Sequence, residues 1–182
     1  ARAVPVTLFL NGASLVIVFF GGIFFGVVGA VSRGAWIDNV LNVFLLAGFS
    51  VPLFWFSLVL MSFFGVTLRL LPVSGLHSLF YEDKGFWFGV VDLAKHLVLP
   101  LFVSSFTALA GLSRFTRSRM ISALDQNYIR TAKAKGLSQK EVFYRHALKN
   151  ALLPVITFVG LSIPGLLGGS VVFESIFSIP GI

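Results

Sequence analysis

Val4-Pro-Val-Thr-Leu-Phe-Leu-Asn-Gly-Ala-Ser-Leu-Val-Ile-Val-Phe-Phe-Gly-Gly-Ile-Phe-Phe-Gly-Val-Val-Gly-Ala-Val31 is a run of 28 residues without a charged side chain. It is too long for a strand and shows no strict alternation of apolar and polar residues. A hydrocarbon core about 30 Å thick is crossed by about 20 helical residues, so the run reads as a membrane-spanning helix. Within it, Gly22 and Gly26 form a small-xxx-small pair, and Gly29 extends the same smooth surface. Glycines are common in membrane helices at large, but this spacing favours a face on which another helix backbone packs closely.

The rest of the chain has the same character. Of its 182 residues, 57% are hydrophobic and 12% charged, and the mean hydropathy is +0.94. Soluble domains carry about a quarter of charged residues, so a soluble globular fold is excluded. Further apolar stretches follow the one at 4–31, at about 40–71, 93–113 and 151–173. The turn from Ser32 to Asn39 holds Trp36, placed like an interfacial anchor. Pro52 must kink the second stretch or end a helical segment there. Arg69, near its far end, reaches the interface on its aliphatic stem. The connection at 72–95 mixes Glu82, Asp83, Lys84, Asp92 and Lys95 with Tyr81, Phe86 and Trp87, which suits a loop on a membrane surface. Lys95 and His96 stand at the mouth of the third stretch, and Pro100 fits its first turns. Pro154 and Pro164 lie in the fourth, after which Phe173-Glu174 leaves the bilayer.

Charge gives the orientation. The formal net charge is +7. Residues 114–150 hold nine Lys and Arg against Asp125 and Glu141, which accounts for all of it; the five basic and five acidic residues elsewhere cancel. The positive-inside rule places 114–150 in the cytoplasm. Counting back through the spans, the Arg33 turn is also cytoplasmic, and the 72–95 loop and Glu174 are external.

The basic connection has its own design. Asp125 can cap a helix starting at Gln126, and Gly136 fits the C′ position that ends it. Tyr128, Ile129, Ala132 and Leu137 give that helix an apolar stripe. Ser138-Gln-Lys-Glu141 is a capping box opening a second helix, which Val142, Phe143, His146, Ala147 and Leu148 continue toward the fourth span. A DNA-binding helix-turn-helix has this size and charge, but attachment to the membrane at both ends hinders docking in a groove. Attraction to anionic lipid accounts for the charge but does not require two capped helices with a glycine between them.

These residues resemble a known family. Tyr128-Ile-Arg-Thr-Ala-Lys-Ala-Lys-Gly-Leu-Ser138, followed by Arg145-His-Ala-Leu-Lys-Asn-Ala-Leu-Leu-Pro154, is similar to the cytoplasmic signature of ABC importer permeases, specifically the dipeptide/oligopeptide branch of binding-protein-dependent transporters. The resemblance extends over most of the chain, through Gly34-Ala-Trp-Ile-Asp38, Ser50-Val-Pro-Leu-Phe-Trp55, Leu71-Pro-Val-Ser-Gly75, Lys95-His-Leu-Val-Leu-Pro100, Gly168-Gly169 and Phe173-Glu174 to Pro180-Gly181. The broader importer pattern has Glu-Ala-Ala, then Gly, then Ile-x-Leu-Pro. Here Gly136 matches, while Arg130-Thr131-Ala132 and His146-Ala-Leu148-Lys149 replace the flanking motifs, as they commonly do in the peptide branch.

The resemblance implies an all-α, polytopic membrane bundle in a bacterial or archaeal cytoplasmic membrane, with four of the family's usual six spans. Ala1 in place of Met and an ending without a polar tail agree with a piece of a longer chain. It implies that Asp125, Tyr128, Arg130, Thr131, Ala132, Lys133, Ala134, Lys135, Gly136, Leu137, Ser138 and Glu141 couple the permease to a separate ATP-binding subunit, which holds ATP and Mg. Other implied partners are a second related permease subunit, an extracytoplasmic substrate-binding protein and membrane lipid. The cargo is expected to be peptide, although relatives of this type also carry nickel, glutathione or oligosaccharides.

The remaining residues offer no competing chemistry. With no Cys there is no disulfide, thiol chemistry or thiolate metal site. His77, His96 and His146 fall on both faces of the membrane and form no single metal site; His96 reads as an interfacial hydrogen-bonding group, and His146 as a packing or contact residue of the docking segment. No phosphate-binding Gly-x-x-x-x-Gly-Lys-[Ser/Thr] loop is present, and no catalytic constellation lies on one side of the membrane. Asn11, Ser14, Asn42, Ser50, Ser57, Ser104, Ser105, Thr107, Thr157, Ser162 and Ser170 either line a passage or bond their own backbone. Pro52 and Pro164 with Gly165, Gly168 and Gly169 mark bends, static or moving. The alternatives to an ATP-driven importer are a secondary transporter or channel, which calls for carboxylates on broken midplane helices, and a lipid-surface scaffold.

Overall fold

The computed structural model describes residues 3–78, 85–168 and 171–180. Arg2, Tyr81, Glu82, Asp83, Lys84, Gly169, Ser170 and Gly181, to which the sequence reading gave roles or places, lie outside them. Among the described residues the chain is helical, without strands. The elements in order are α1 (Ala3–Val31), α2 (Trp36–Ser50), α3 (Leu53–Leu60) with a π-helical extension (Met61–Thr67), and α4 (Phe86–Leu124). Then come α5 (Asn127–Ala134), α6 (Gln139–Glu141), a π-helical stretch (Val142–Leu148), α7 (Lys149–Ser162), a 3-10 turn (Ile163–Leu167) and α8 (Val171–Phe177).

Among the described residues, three helical stretches are long and apolar enough to cross a membrane: Val4–Val31, Phe86–Leu124 and Gln139–Gly165. α2 and α3 with its extension bend by 104° at their break, and together form either a fourth, broken crossing or a re-entrant loop. Pro52 separates them: its φ of −59° and ψ of 132° are extended, and it has no N–H for the helical ladder.

Several boundaries differ from the sequence reading. α4 starts at Phe86, inside the stretch assigned to the external loop, and runs through the first eleven residues of the basic segment to Leu124. Pro100 therefore lies in a helix interior, not in first turns, where it forfeits one i→i−4 hydrogen bond. The fourth stretch does not continue as a helix to Phe173: α7 tightens into the 3-10 turn that holds Pro164 and Gly165, and α8 starts separately at Val171. A proline and a glycine in succession oppose continued α-helix.

The described residues form two compact units. The first draws on residues 1–16, 50–107 and 164–182, the second on 17–49 and 108–163. In the first, Leu10, Leu97, Leu99, Val103, Phe173, Phe177 and Ile179 form a buried cluster, and Phe56 stacks on Phe106 at 5.3 Å. The Gly75 N–H donates to the Phe177 carbonyl at 2.9 Å, tying the loop after α3 to the end of α8.

In the second unit the glycine face of α1 packs on α4. A Cβ at Gly22 would sit 2.9 Å from the Leu112 Cβ, and one at Gly26 would sit 2.6 Å from the Ser113 carbonyl oxygen. Only hydrogen atoms at these positions allow the helices so close. A second cluster gathers Ala30, Met120, Ala123, Ile129, Ala132, Val142, Ala147 and Ala151, so the basic connection packs into a core that it shares with α1 and α7.

Candidate functional site

The capped segment after α4 is built by local chemistry. Gln126 occupies the N-cap of α5, with φ −75° and ψ 152°, and offers no side-chain cap. This corrects the sequence reading, which gave the cap to Asp125. Because α4 persists to Leu124, Asp125 belongs to the turn that follows it, and its carboxylate lies 3.5 Å from Arg33 Nη1. Both side chains are well exposed, so the pair adds little stability.

At its other end α5 closes in a Schellman motif. Gly136 takes φ +79°. The Gly136 N–H donates to the Lys133 carbonyl at 3.0 Å, and the Leu137 N–H reaches back to the Ala132 carbonyl at 3.3 Å. These two bonds satisfy carbonyls that the helix end leaves open. The left-handed backbone is what requires glycine, since apart from its chain neighbours nothing lies within 4 Å of where a Cβ would project.

Ser138 then caps α6 with a complete capping box. The Glu141 carboxylate receives the Ser138 backbone N–H at 3.2 Å and its hydroxyl at 3.0 Å. From Gln139 to Gly165 the path is helical throughout, so the box is joined to α7 without an intervening loop.

Burial sorts the twelve candidate residues. Asp125, Tyr128, Arg130, Thr131, Lys133, Ala134, Lys135, Gly136, Ser138 and Glu141 are exposed. Ala132 is buried and Leu137 half-buried; both pack in the buried cluster around Met120 and Ala123. These two build the surface and do not present it. Ile129, only 1% exposed, is the main anchor, its burial stabilising the segment by about 2 kcal/mol.

A second polar centre was not identified from the sequence. Asp38, the third residue of α2, is 3% exposed. Arg117 of α4 grips it in a fork, Nε to Oδ1 at 2.8 Å and Nη2 to Oδ2 at 2.7 Å. The Gly34 N–H donates to Oδ2 at 3.1 Å, and Asn42 Nδ2 to Oδ1 at 2.8 Å. Local spacing held part of the signal, since Gly34, Asp38 and Asn42 are each four residues apart. The arginine, 79 positions away, was not legible.

In the first unit, Asp92 accepts the Ser78 N–H at 2.7 Å and the Ser78 hydroxyl at 2.5 Å. His77 Nδ1 lies 3.4 Å from the same carboxylate, and His96 Nδ1 is 2.8 Å from the Asp92 carbonyl oxygen. His96 is therefore a buried hydrogen-bonding group. No group of residues suited to hold a metal ion occurs among the described residues. Ser57, Ser105, Thr157 and Ser162 bond carbonyls four residues back in their own helices. Ser14 instead meets Ser104 at 2.6 Å.

Relatives match this chain over nearly its whole length. The oligopeptide transport system permease protein AppB of Bacillus subtilis (strain 168) is 43% identical over 178 residues, covering 98% of this chain and 55% of the relative. The di/tripeptide transport system permease protein DppB of Pseudomonas aeruginosa (strain UCBPP-PA14) is 41% identical over 191 residues, covering 98% of this chain and 57% of the relative. The dipeptide transport system permease protein DppB of Escherichia coli (strain K12) is 38% identical, covering 97% and 57%. The chain thus spans little more than half the length of these relatives. The family model for the binding-protein-dependent transport system inner membrane component matches residues 22–182, across the glycine face, the Asp38 turn and the capped segment, and the chain belongs to that family.

Proposed function

We infer that the chain is the permease part of an ATP-driven importer of di- or oligopeptides, and that residues 125–141 meet a separate ATP-binding subunit. The observation that carries this reading is the capped two-helix segment itself. It is stiffened by a Schellman motif and a capping box, is anchored by Ile129 and Ala132 in a buried cluster shared with α1, α4 and α7, and passes by unbroken helix into an apolar stretch long enough to cross a membrane. A lever needs this combination, because flexible joints would absorb displacement before it reached the membrane helix.

In this mechanism the ATP-binding subunits hold ATP and Mg and close upon each other. The exposed Tyr128, Arg130, Thr131, Lys133 and Lys135 offer the contact surface, and Ile129 and Ala132 pass the load to Met120, Ala123 and Ala151. A second permease subunit completes the pathway, and an extracytoplasmic binding protein delivers the cargo. Gathering of the Arg33 turn and the basic segment in one compact unit agrees with both lying on the cytoplasmic side of the inner membrane.

The test is co-purification of the full-length permease with its ATP-binding subunit, and the same after deletion of residues 125–141. Loss of the subunit on deletion, together with ATP-dependent peptide uptake by the intact complex in proteoliposomes, is expected. Uptake driven by an ion gradient without ATP would overturn the reading.

A further inference from the structure

We propose that Asp38 and Arg117 are positioning residues that tie the start of α2 to the basic end of α4, so that both follow the coupling segment as one body. The inference rests on the importer reading above. Arg117, Met120 and Ala123 recur at three-residue intervals on α4, a spacing that keeps them on neighbouring parts of one helix surface. Met120 and Ala123 pack with Ile129 and Ala132 of α5, while Arg117 holds Asp38 of α2. A displacement of α5 therefore reaches α2 through two turns of rigid helix and one ion pair.

The choice of an ion pair is informative. Buried pairs are poor sources of stability, because desolvation offsets the attraction. Two parallel N–H···O bonds do, however, fix distance and angle together. The carboxylate also receives Gly34 N–H and Asn42 Nδ2, so its orientation is set from three directions. At Gly29 of α1, a Cβ would stand 3.2 Å from Arg117 Cδ, so that helix leaves room for the arginine stem. The exposed Arg33–Asp125 contact lacks these features and is not assigned this role.

The experiment uses the full-length permease assembled with its transporter partners in proteoliposomes. In a background otherwise free of cysteine, spin labels on Trp36→Cys and Ser122→Cys, both exposed positions, report the spacing of α2 and α4 directly. Uptake of radiolabelled dialanine per ATP hydrolysed is measured in the same complex without labels. Asp38→Asn breaks the pair. The double variant Asp38→Leu with Arg117→Met replaces it by apolar groups and keeps the test open should the single variant misfold. Both are expected to lose the single narrow label distance and to move about tenfold less dialanine per ATP, in the range of ordinary coupling energies. A folded double variant with the original distance and the original yield per ATP would overturn the proposal, since the pair would then serve stability alone. A broadened distance in the variants, with no ATP-dependent uptake by the unmutated complex, would sink the importer reading and leave the mechanical tie standing.

Discussion

The Ser138 hydroxyl accepts the Glu141 backbone N–H at 3.3 Å, while the Glu141 carboxylate receives the Ser138 backbone N–H at 3.2 Å. This reciprocal pair fixes where α6 begins and hence the direction in which the helix leaves Gly136. Ser138→Ala removes the side-chain acceptor and is expected to weaken the helix start by about 1 kcal/mol, roughly a fivefold faster local opening. Hydrogen exchange of the amides following Ser138 reads this directly. Glu141→Gln keeps a side-chain acceptor for the Ser138 N–H, so exchange there is expected to stay near its original rate.

Gly136 gives a sharper test because its surroundings are open and only its backbone is demanding. With φ at +79°, a β-branched residue is strained by about 1–2 kcal/mol, whereas Asn visits this region routinely. On the importer reading proposed above, Gly136→Val is therefore expected to open the Schellman turn and lower peptide uptake per ATP, and Gly136→Asn to retain most of it. An acidic substitution such as Gly136→Glu combines strain with reversed charge and is expected to be at least as damaging as Val. Cargo-stimulated ATP hydrolysis and uptake, measured together, distinguish uncoupling from simple loss of assembly.

The difference between these positions and Asp125 shows what the sequence could carry. Gly136, Ser138 and Glu141 act through bonds that close within a few residues, so their spacing alone identifies them. The membrane helices were legible for a similar reason: length and apolarity are local properties, as the Val4 to Val31 run shows. Whether α4 would stop at Ser113 or continue was not local. Arg114, Arg117 and Arg119 look like the start of a loop by charge, but all are compatible with helix, and packing of Met120 and Ala123 extends it. That extension displaced the α5 cap from Asp125 to Gln126. The Asp38–Arg117 pair depends on two helices meeting, and Ala132 looked like a contact residue until its burial was known.

The glycine face of α1 predicts different costs for glycines on one helix. At Gly26 a Cβ would stand 2.5 Å from the Thr116 Cβ and 2.6 Å from the Ser113 carbonyl oxygen, whereas at Gly12 nothing lies within 4 Å. Backbone cannot yield as a side-chain tip can, so Gly26→Ala is expected to force the helices apart at a cost of about 1–3 kcal/mol. Gly12→Ala is expected to be neutral or slightly stabilising, since it raises helix propensity without a clash. Thermal unfolding in one detergent should lower the midpoint for the first variant and not for the second.

Thr7 and Glu174 offer a test in the other compact unit. The Thr7 hydroxyl donates to Glu174 Oε1 at 3.0 Å, and the two residues are 2% and 8% exposed. The contact joins α1 to α8 across 167 positions, so it forms only when the unit is assembled. Thr7→Val preserves shape but leaves a buried carboxyl short of a donor, at an expected cost of about 1–3 kcal/mol. Thr7→Ser restores the hydroxyl and should recover most of that loss. Replacing both residues, with Thr7→Val and Glu174→Leu, removes the uncompensated polar atom along with its partner. The double variant should therefore unfold at a higher temperature than Thr7→Val alone. If it unfolds lower, by the sum of the two single effects, the residues act independently and the bond does not hold α8 against α1.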